Sequence, residues 1–240
     1  MKRVQLFLMA FVAVLSVGLV SCSKDDDNNS TADGNGSGTG MSTTDDWVDL
    51  GLPSGLLWAT RNIGASSPEG YGDYFSWGDT QPKSDYGWGN YRYANGGHCE
   101  LTKYCSNSYF GYNDFSDDLT LLLPEDDAAT ANWGDSWRTP TKDEWQELLD
   151  NTTSTWFTLN GVSGRLFTAS NGNNLFLPAA GSVASSQPDD VGWEAYYWSA
   201  SLDVDAPYNA WNFSFYGNGQ SIDRDTRHTG ESVRAVRSAN

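Results

Sequence analysis

The chain has 240 residues, a formal net charge of −17 and 14% aromatic residues. A surface this acidic repels nucleic acid and anionic membranes, so the composition excludes both as partners. The chain beyond residue 46 is long enough for one domain with a substantial core, and we expect most of its tryptophan and tyrosine rings to lie in that core.

The first 21 residues have the pattern of a secretory signal peptide. A basic start, Met1-Lys2-Arg3, precedes an apolar run over 4–20 that only Gln5 and Ser16 interrupt, and small residues lead to Cys22. This end of the run resembles a bacterial lipobox, which implies cleavage before Cys22 and lipid attachment to it. The alternatives are an ordinary signal peptide and a transmembrane helix, for which the apolar run is only just long enough.

Residues 22–46 are rich in Asp, Asn, Ser, Thr and Gly and show no apolar periodicity. Such a segment cannot bury a core, so we expect a disordered acidic linker. The residues after Cys22, Ser-Lys-Asp-Asp-Asp, resemble the surface-export signal of Bacteroidetes-type lipoproteins. This resemblance implies an outer-membrane protein, anchored only by lipid, that faces the cell exterior.

The sequence pattern of the remaining residues, 47–240, predicts a single α+β domain with short strands, one or two helices and long loops. Thr141 and Glu144 form a capping-box pattern that begins a helix, and Trp145, Leu148 and Leu149 share its apolar face. A shorter helical turn is predicted at 124–131. Strands are predicted at 48–50, 56–60, 164–170, 174–177, 196–199, 210–216, 221–225 and 232–236, with 164–177 forming a hairpin through Asn171-Gly172-Asn173.

Strict alternation marks the strand at 211–216. Trp211, Phe213 and Phe215 should point to one side and pack, whereas Asn212, Ser214 and Tyr216 should point to solvent or ligand.

Six segments of this domain form a recognisable set: WVDLGLPSGLLWAT (47–60), YFSWGDT (74–80), WGDSWRTPTKDEW (133–145), LPAAG (177–181), YWSAS (197–201) and SVRAVR (232–237). Together they resemble the Fibrobacter succinogenes major paralogous domain, which is common in surface lipoproteins of gut anaerobes. The resemblance implies a C-type-lectin-like fold. The order Trp-Arg-x-Pro-Thr-x-x-Glu-Trp followed by a terminal Val-Arg is also similar to formylglycine-generating enzymes and to the variable proteins of diversity-generating retroelements.

We do not expect this chain to share the catalytic activity of formylglycine-generating enzymes. Formylglycine-generating chemistry needs a redox-active cysteine pair near the end of the domain, and no cysteine follows Cys105. The two histidines, His98 and His228, are expected to be surface residues, so the chain is predicted not to be an enzyme. Cys99 and Cys105 form either a disulfide, as suits an exported protein, or two separate buried thiols.

No cofactor is predicted, although a calcium site remains an alternative. The calcium-dependent sugar site of C-type lectins has a partial counterpart in Gln187-Pro188-Asp189 and Trp211-Asn212, but Phe213 stands where the second motif needs Asp. A structural calcium at Asp114, Asp117 and Asp118 is a second alternative. Arg234 and Arg237 are expected to be structural.

The segment 196–229 is the predicted binding face, because Tyr, Asn, Ser and Asp in loops have the chemistry of adaptable paratopes. It corresponds by resemblance to the region that retroelements diversify. The predicted ligand is a glycan or a host or bacterial surface protein; the alternative function is a structural or accessory subunit of a surface assembly such as a fimbrial tip. The predicted exposed ligand-binding residues are Tyr196, Asp203, Asp205, Tyr208, Asn209, Asn212, Ser214, Tyr216, Asn218, Ser221, Asp223, Arg224, Asp225, Arg227 and His228.

Overall fold

The computed structural model describes residues 46–239, so the signal peptide, Cys22 and the linker up to residue 45 lie outside the described residues. Two α-helices and nine strands follow one another in this part of the chain. They are β1 (Trp47–Asp49), β2 (Leu56–Ala59), α1 (Ala128–Trp133), α2 (Lys142–Asn151), β3 (Thr152–Leu159), β4 (Val162–Ala169), β5 (Asn174–Pro178), β6 (Glu194–Leu202), β7 (Asn209–Tyr216), β8 (Gly219–Thr226) and β9 (Val236–Ser238). Short 3-10 helices lie at Trp88–Asn90, Ser108–Phe110, Tyr112–Asp114 and Pro124–Asp126. Neither α-helix of residues 46–239 is long and apolar enough to cross a membrane.

The strands form three antiparallel sheets of three strands each within the described residues, in the orders β1-β2-β9, β3-β4-β5 and β6-β7-β8. A long segment without regular strands, 60–127, connects the first sheet to α1. Small sheets, few helices and long loops confirm the predicted α+β class at this coarse level.

Helix α2 follows the prediction closely. Thr141 caps it, and the capping box with Glu144 is complete. The carboxylate of Glu144 also receives two hydrogen bonds from Arg138, at 2.7 and 2.6 Å, which fixes the chain entering the helix. Trp145 and Leu148 are fully buried, so the predicted apolar face is the packed one. The turn predicted at 124–131 is a 3-10 helix followed by α1, separated at Asp127, which caps α1.

Two strand predictions differ from the structure. The β4–β5 hairpin forms as predicted, but β3 was not predicted, because α2 runs into it without a Gly or Pro signal and most of its side chains are exposed. The predicted strand 232–236 is regular only from Val236. Residues before it are extended but pair with several different partners: Ser232 bridges to Tyr197, and the carbonyl of Val233 accepts from Ile63 N.

Two clusters of buried side chains form the core. Ten of the 23 Trp and Tyr rings are buried, so the expectation that most of them lie in the core is not met. In one cluster, α2 packs Trp145 against Trp58 of β2 and Phe213 of β7, with ring centroids 4.8 and 4.9 Å apart. The other lies beneath the segment 74–137 and contains Trp77, Trp198 and several tyrosines. Large ring areas removed from water supply much of the driving force for this packing.

Buried Arg227 joins the segment 84–117 to the C-terminal part of the chain. Its guanidinium donates to Tyr91 Oη at 2.8 Å, to the carbonyls of Tyr104 at 2.9 Å and Pro207 at 2.8 Å, and to the carbonyl of Lys103 at 3.0 Å. The sequence predicted an exposed ligand-binding role for Arg227, and this prediction is wrong, since the residue has no exposed surface. Its planar fork of donors satisfies carbonyls that the irregular loop leaves without strand partners.

Replacing Arg227 by Met should lower the free energy of unfolding by about 3 kcal/mol, because several buried acceptors lose a charged donor at once. Urea denaturation measures the change. Arg61→Met is the control, since Arg61 pairs with Asp46 on the surface and its loss should cost less than about 1 kcal/mol. Equal destabilisation by the two substitutions would contradict the assigned role of Arg227.

Candidate functional site

Six polar residues lie on one side of the β6-β7-β8 sheet, together with the buried Trp198 and Ala210. In register, Tyr196 lies opposite Ser214, which lies opposite Ser221, and Asn212 lies opposite Asp223. Asp225 follows Asp223 by two residues and therefore shares its side. We call these six residues the polar face. The predicted alternation of β7 is correct as to side, because Phe213 and Phe215 lie on the opposite, apolar side.

The predicted exposure of this face is wrong at its centre. Asn212 is 2% exposed and Ser214 is 8% exposed. The segment around Ser232 pairs with the edge of β6, and the Glu231 side chain reaches Asn212 from there. Asn212 Nδ2 donates to Glu231 Oε1 at 2.8 Å, and the backbone N of Trp198 donates to the carbonyl of Ser232 at 3.0 Å. Asp223 and Ser221 remain exposed, and Tyr196 and Asp225 are half-buried.

Glu231 is a fully buried carboxyl group behind the polar face. Burial raises its pKa well above the ordinary value, and the neighbouring charges of Asp225 and Asp223 act in the same direction. Its Oε2 atom, together with Asn212 Oδ1, is buried and has no hydrogen-bond partner within the protein. Native proteins contain few buried polar atoms without a hydrogen-bond partner. Two neighbouring atoms of this kind therefore make this part of the fold a candidate site.

An aromatic groove opens beside the polar face. It has a volume of about 410 Å³ and is lined by Trp88, His98, Cys99, Tyr109, Phe110, Tyr208 and Thr226. Ring centroids follow one another along it at 5.0 Å from Tyr109 to Phe110, 5.1 Å to Tyr208, 5.6 Å to His98 and 6.3 Å to Trp88. The volume and the mainly apolar lining are typical of small-molecule sites.

Thr226 and His228 connect the groove to the polar face. The Thr226 hydroxyl lies 3.3 Å from Asp225 Oδ1 and 3.3 Å from His228 Nε2. The His228 ring packs against Trp88 at 4.9 Å between centroids. Burial lowers the pKa of His228, and Asp225 opposes this effect only in part, so the imidazole is neutral at pH 7.

The other predicted residues do not converge on the groove. Tyr216 and Asn218 lie at the far end of the β7–β8 hairpin, about 25 Å from Tyr208 along an eight-residue strand. Asp205 and Asn209 belong to the loop before β7, where Asp205 is exposed and Asn209 half-buried.

Asp203 and Arg224 are a structural pair rather than groove residues. Asp203 was predicted to be exposed, but it is 2% exposed and pairs with Arg224 at 3.4 Å. The Arg224 guanidinium lies over Trp211, 5.4 Å from the ring centroid, on the side of the sheet opposite Asp223. Arg234 is buried and donates to Asn62 Oδ1 at 2.9 Å and to the Ala59 carbonyl at 3.0 Å, as its predicted structural role requires.

Sequence reasoning missed the groove residues of the segment 84–115. The expectation that most Trp and Tyr rings lie in the core includes Trp88 and Tyr109, yet Tyr109 is 75% exposed. The signal that could have found them is the composition of 84–115, where aromatic residues alternate irregularly with Gly, Asn and Ser, as they do in the predicted binding segment.

The expected Cys99–Cys105 disulfide is not present, because both thiols are free. Cys105 is buried and its Sγ lies 3.2 Å from the Asn107 carbonyl, whereas half-buried Cys99 lines the groove. Burial raises the pKa of the Cys105 thiol. The alternative of two separate buried thiols is therefore correct for Cys105. For Cys99 it is correct that the thiol is unpaired but wrong that it is buried.

The two calcium alternatives gain no support from the geometry. Asn212 bonds to Glu231, while Gln187, Pro188 and Asp189 are exposed and Asp189 bridges to Ser182. Asp117 accepts from the backbone N–H groups of Tyr104, Cys105 and Leu119 and thus shapes the loop. Among residues 46–239, no three His, Cys, Asp or Glu side chains are grouped so as to hold a metal ion.

Comparison of the chain with protein-family models, curated proteins and solved structures gives no match.

The buried carboxyl of Glu231 makes stability depend on pH. Because its folded-state pKa is raised, its contribution is fully present below the unfolded pKa of about 4.3 and is lost as the pH rises through the folded value. Glu231→Gln keeps an acceptor for Asn212 but has no proton to lose. We expect this variant to be more stable than the native protein at pH 7 and nearly equal to it near pH 4 in urea denaturation. The same stability difference at both pH values would contradict the assignment.

The two cysteines should differ in reactivity. Cys99 should react with a small alkylating reagent in the native protein, whereas Cys105 should react only after unfolding, because it is buried. Mass spectrometry of digested protein, alkylated with and without denaturant, measures both sites. Resistance of both thiols in denaturant without reductant would instead indicate a disulfide.

Proposed function

We propose that this chain is a surface-exposed, non-catalytic lipoprotein whose C-type-lectin-like head binds a glycan in the aromatic groove. The observation that carries the proposal is the junction of a row of rings with a polar face. Rings offer flat apolar area to the C–H faces of a sugar, and a few fixed polar groups then set orientation. The Asp223 and Asp225 carboxylates accept hydrogen bonds, which suits the hydroxyl donors of a sugar.

The groove has the rigidity that binding without a large entropy cost requires. Tyr91 and Tyr104, which flank the groove segment, bond to the guanidinium of Arg227 through a hydroxyl and a carbonyl. Pro207, next to groove residue Tyr208, is held by the same group. Ordering is therefore supplied by folding rather than by the ligand.

The lectin-like assignment and the location rest on the sequence. The resemblance to the Fibrobacter succinogenes major paralogous domain supports the fold, and the small antiparallel sheets with long loops are compatible with it. The lipobox-like Cys22 and the acidic linker support an outer-membrane lipoprotein with its head outside the cell.

Substitutions in the groove test the proposal. Tyr109→Ala and Tyr208→Ala should each weaken binding of a glycan identified on an array by about 5- to 30-fold, since ring contacts of this kind contribute on the order of 1–2 kcal/mol. Isothermal titration measures the affinities. Tyr216→Ala and Trp193→Ala remove rings that are 56% and 76% exposed but lie outside the groove, and they should leave affinity unchanged.

An array without any bound glycan would contradict the glycan proposal. Loss of binding in Tyr216→Ala with retention in Tyr208→Ala would move the site to the far end of the hairpin.

A further inference from the structure

The lining of the groove contains no Lys or Arg. Lys83 is the basic side chain whose charge acts on His228, but it is ion-paired with Asp79 at 2.6 Å. Arg227 is buried and engaged with three carbonyls and a hydroxyl. Neither Lys83 nor Arg227 is therefore free to pair with a ligand bound in the groove.

Two carboxylates beside the groove lack a cationic partner. Asp223 is exposed and Asp225 is half-buried, they share one side of β8, and neither takes part in an ion pair within residues 46–239. Arg224, between them in sequence, points to the other side and pairs with Asp203. Burial raises the pKa of Asp225, so a cation placed beside it would relieve an unfavourable charge.

Behind these carboxylates lie a buried carboxyl group and a buried amide. Glu231 and Asn212 are at least 98% buried, and each has one oxygen without a hydrogen-bond partner in the protein. Glu231 lies close enough to Asp225 and Asp223 for both charges to act on it. Because burial raises the pKa of Glu231 and so favours its protonated form, the negative charge that a ligand can meet on this side of the sheet is that of Asp223 and Asp225. These two carboxylates favour a ligand that brings donors and positive charge.

We propose that the groove and the polar face together select a glycan that carries free amino groups, with the sugar ring against Tyr208 and Trp88 and the ammonium between Asp223 and Asp225. This inference rests on the proposed function and names the ligand class for the same site. An ammonium has three donors and no acceptor, and it also gains from an aromatic face nearby. N-acetylation removes the charge and should therefore remove the preference.

Three hexasaccharides test the proposal: β-1,4-linked glucosamine, its N-acetylated form and the glucose equivalent. They are titrated at about pH 6, where an amine is protonated and an ordinary Asp is ionised. The glucosamine hexamer should bind at least tenfold more tightly than the other two, and this preference should shrink at high salt. Asp223→Asn/Asp225→Asn should abolish the preference, so that the three hexasaccharides bind with similar affinity, because the Asn amide oxygen still accepts from a hydroxyl but carries no charge.

A matched variant, Asp118→Asn/Asp135→Asn, removes the same charge from two exposed residues outside the site and should keep the preference. If it loses the preference equally, the attraction is a general effect of the acidic protein and the proposal fails. Equal binding of all three sugars overturns the amine selectivity but leaves the proposed function standing, whereas binding of none overturns both. Hexalysine that binds as tightly as the glucosamine hexamer would show that the ligand need not be a sugar.

Discussion

The buried guanidinium of Arg227 is the constraint on which the binding side of this domain depends. It lies against the rings of Trp77, Tyr91 and Tyr104, with centroid distances of 5.0, 5.2 and 5.8 Å, and its N–H groups bond to the loop backbone. Burying a charge costs free energy unless hydrogen bonds replace its hydration. Here that replacement comes from two regions more than 100 residues apart, so folding of one positions the other.

This arrangement explains how a segment with little regular structure can form a defined groove. The sheet β6-β7-β8 supplies a rigid base, and the 84–115 segment supplies rings that lie across its edge. A second buried anchor supports the same segment, since the carboxylate of Asp126 accepts from Tyr104 Oη at 2.5 Å and Lys103 Nζ at 2.5 Å. Removing one partner from a buried charged network leaves an uncompensated charge, so the members hold one another in place. Loops held by a rigid scaffold are where binding residues commonly lie.

Local patterns in the sequence predicted local structure well. The Thr141–Glu144 capping box gives α2, and the Asn171-Gly172-Asn173 turn gives the β4–β5 hairpin, because both depend on interactions between near neighbours. Alternation assigned the two sides of β7 correctly for the same reason. Strand β3 was missed since no turn residue separates it from α2.

The site itself depends on contacts between distant residues, which local patterns do not reveal. Asn212 is buried because Glu231 folds over it, and a polar residue in an alternating strand gives no sign of such a cover. Tyr208 was predicted as a binding residue, but its partner Phe110 lies about 100 positions earlier and was indistinguishable from a core aromatic residue. Of the seven residues that line the groove, the sequence therefore predicted only Tyr208 as a binding residue, and tertiary structure identified the rest.

Hydrogen exchange of the Arg227→Met protein, followed by mass spectrometry, tests the central claim most directly. If Arg227 fixes the groove segment to the sheet, amides in 88–117 should exchange much faster than in the native protein, while those of β3, β4 and β5 keep their protection. Unchanged protection of 88–117, or an equal loss across the whole domain, would contradict this account.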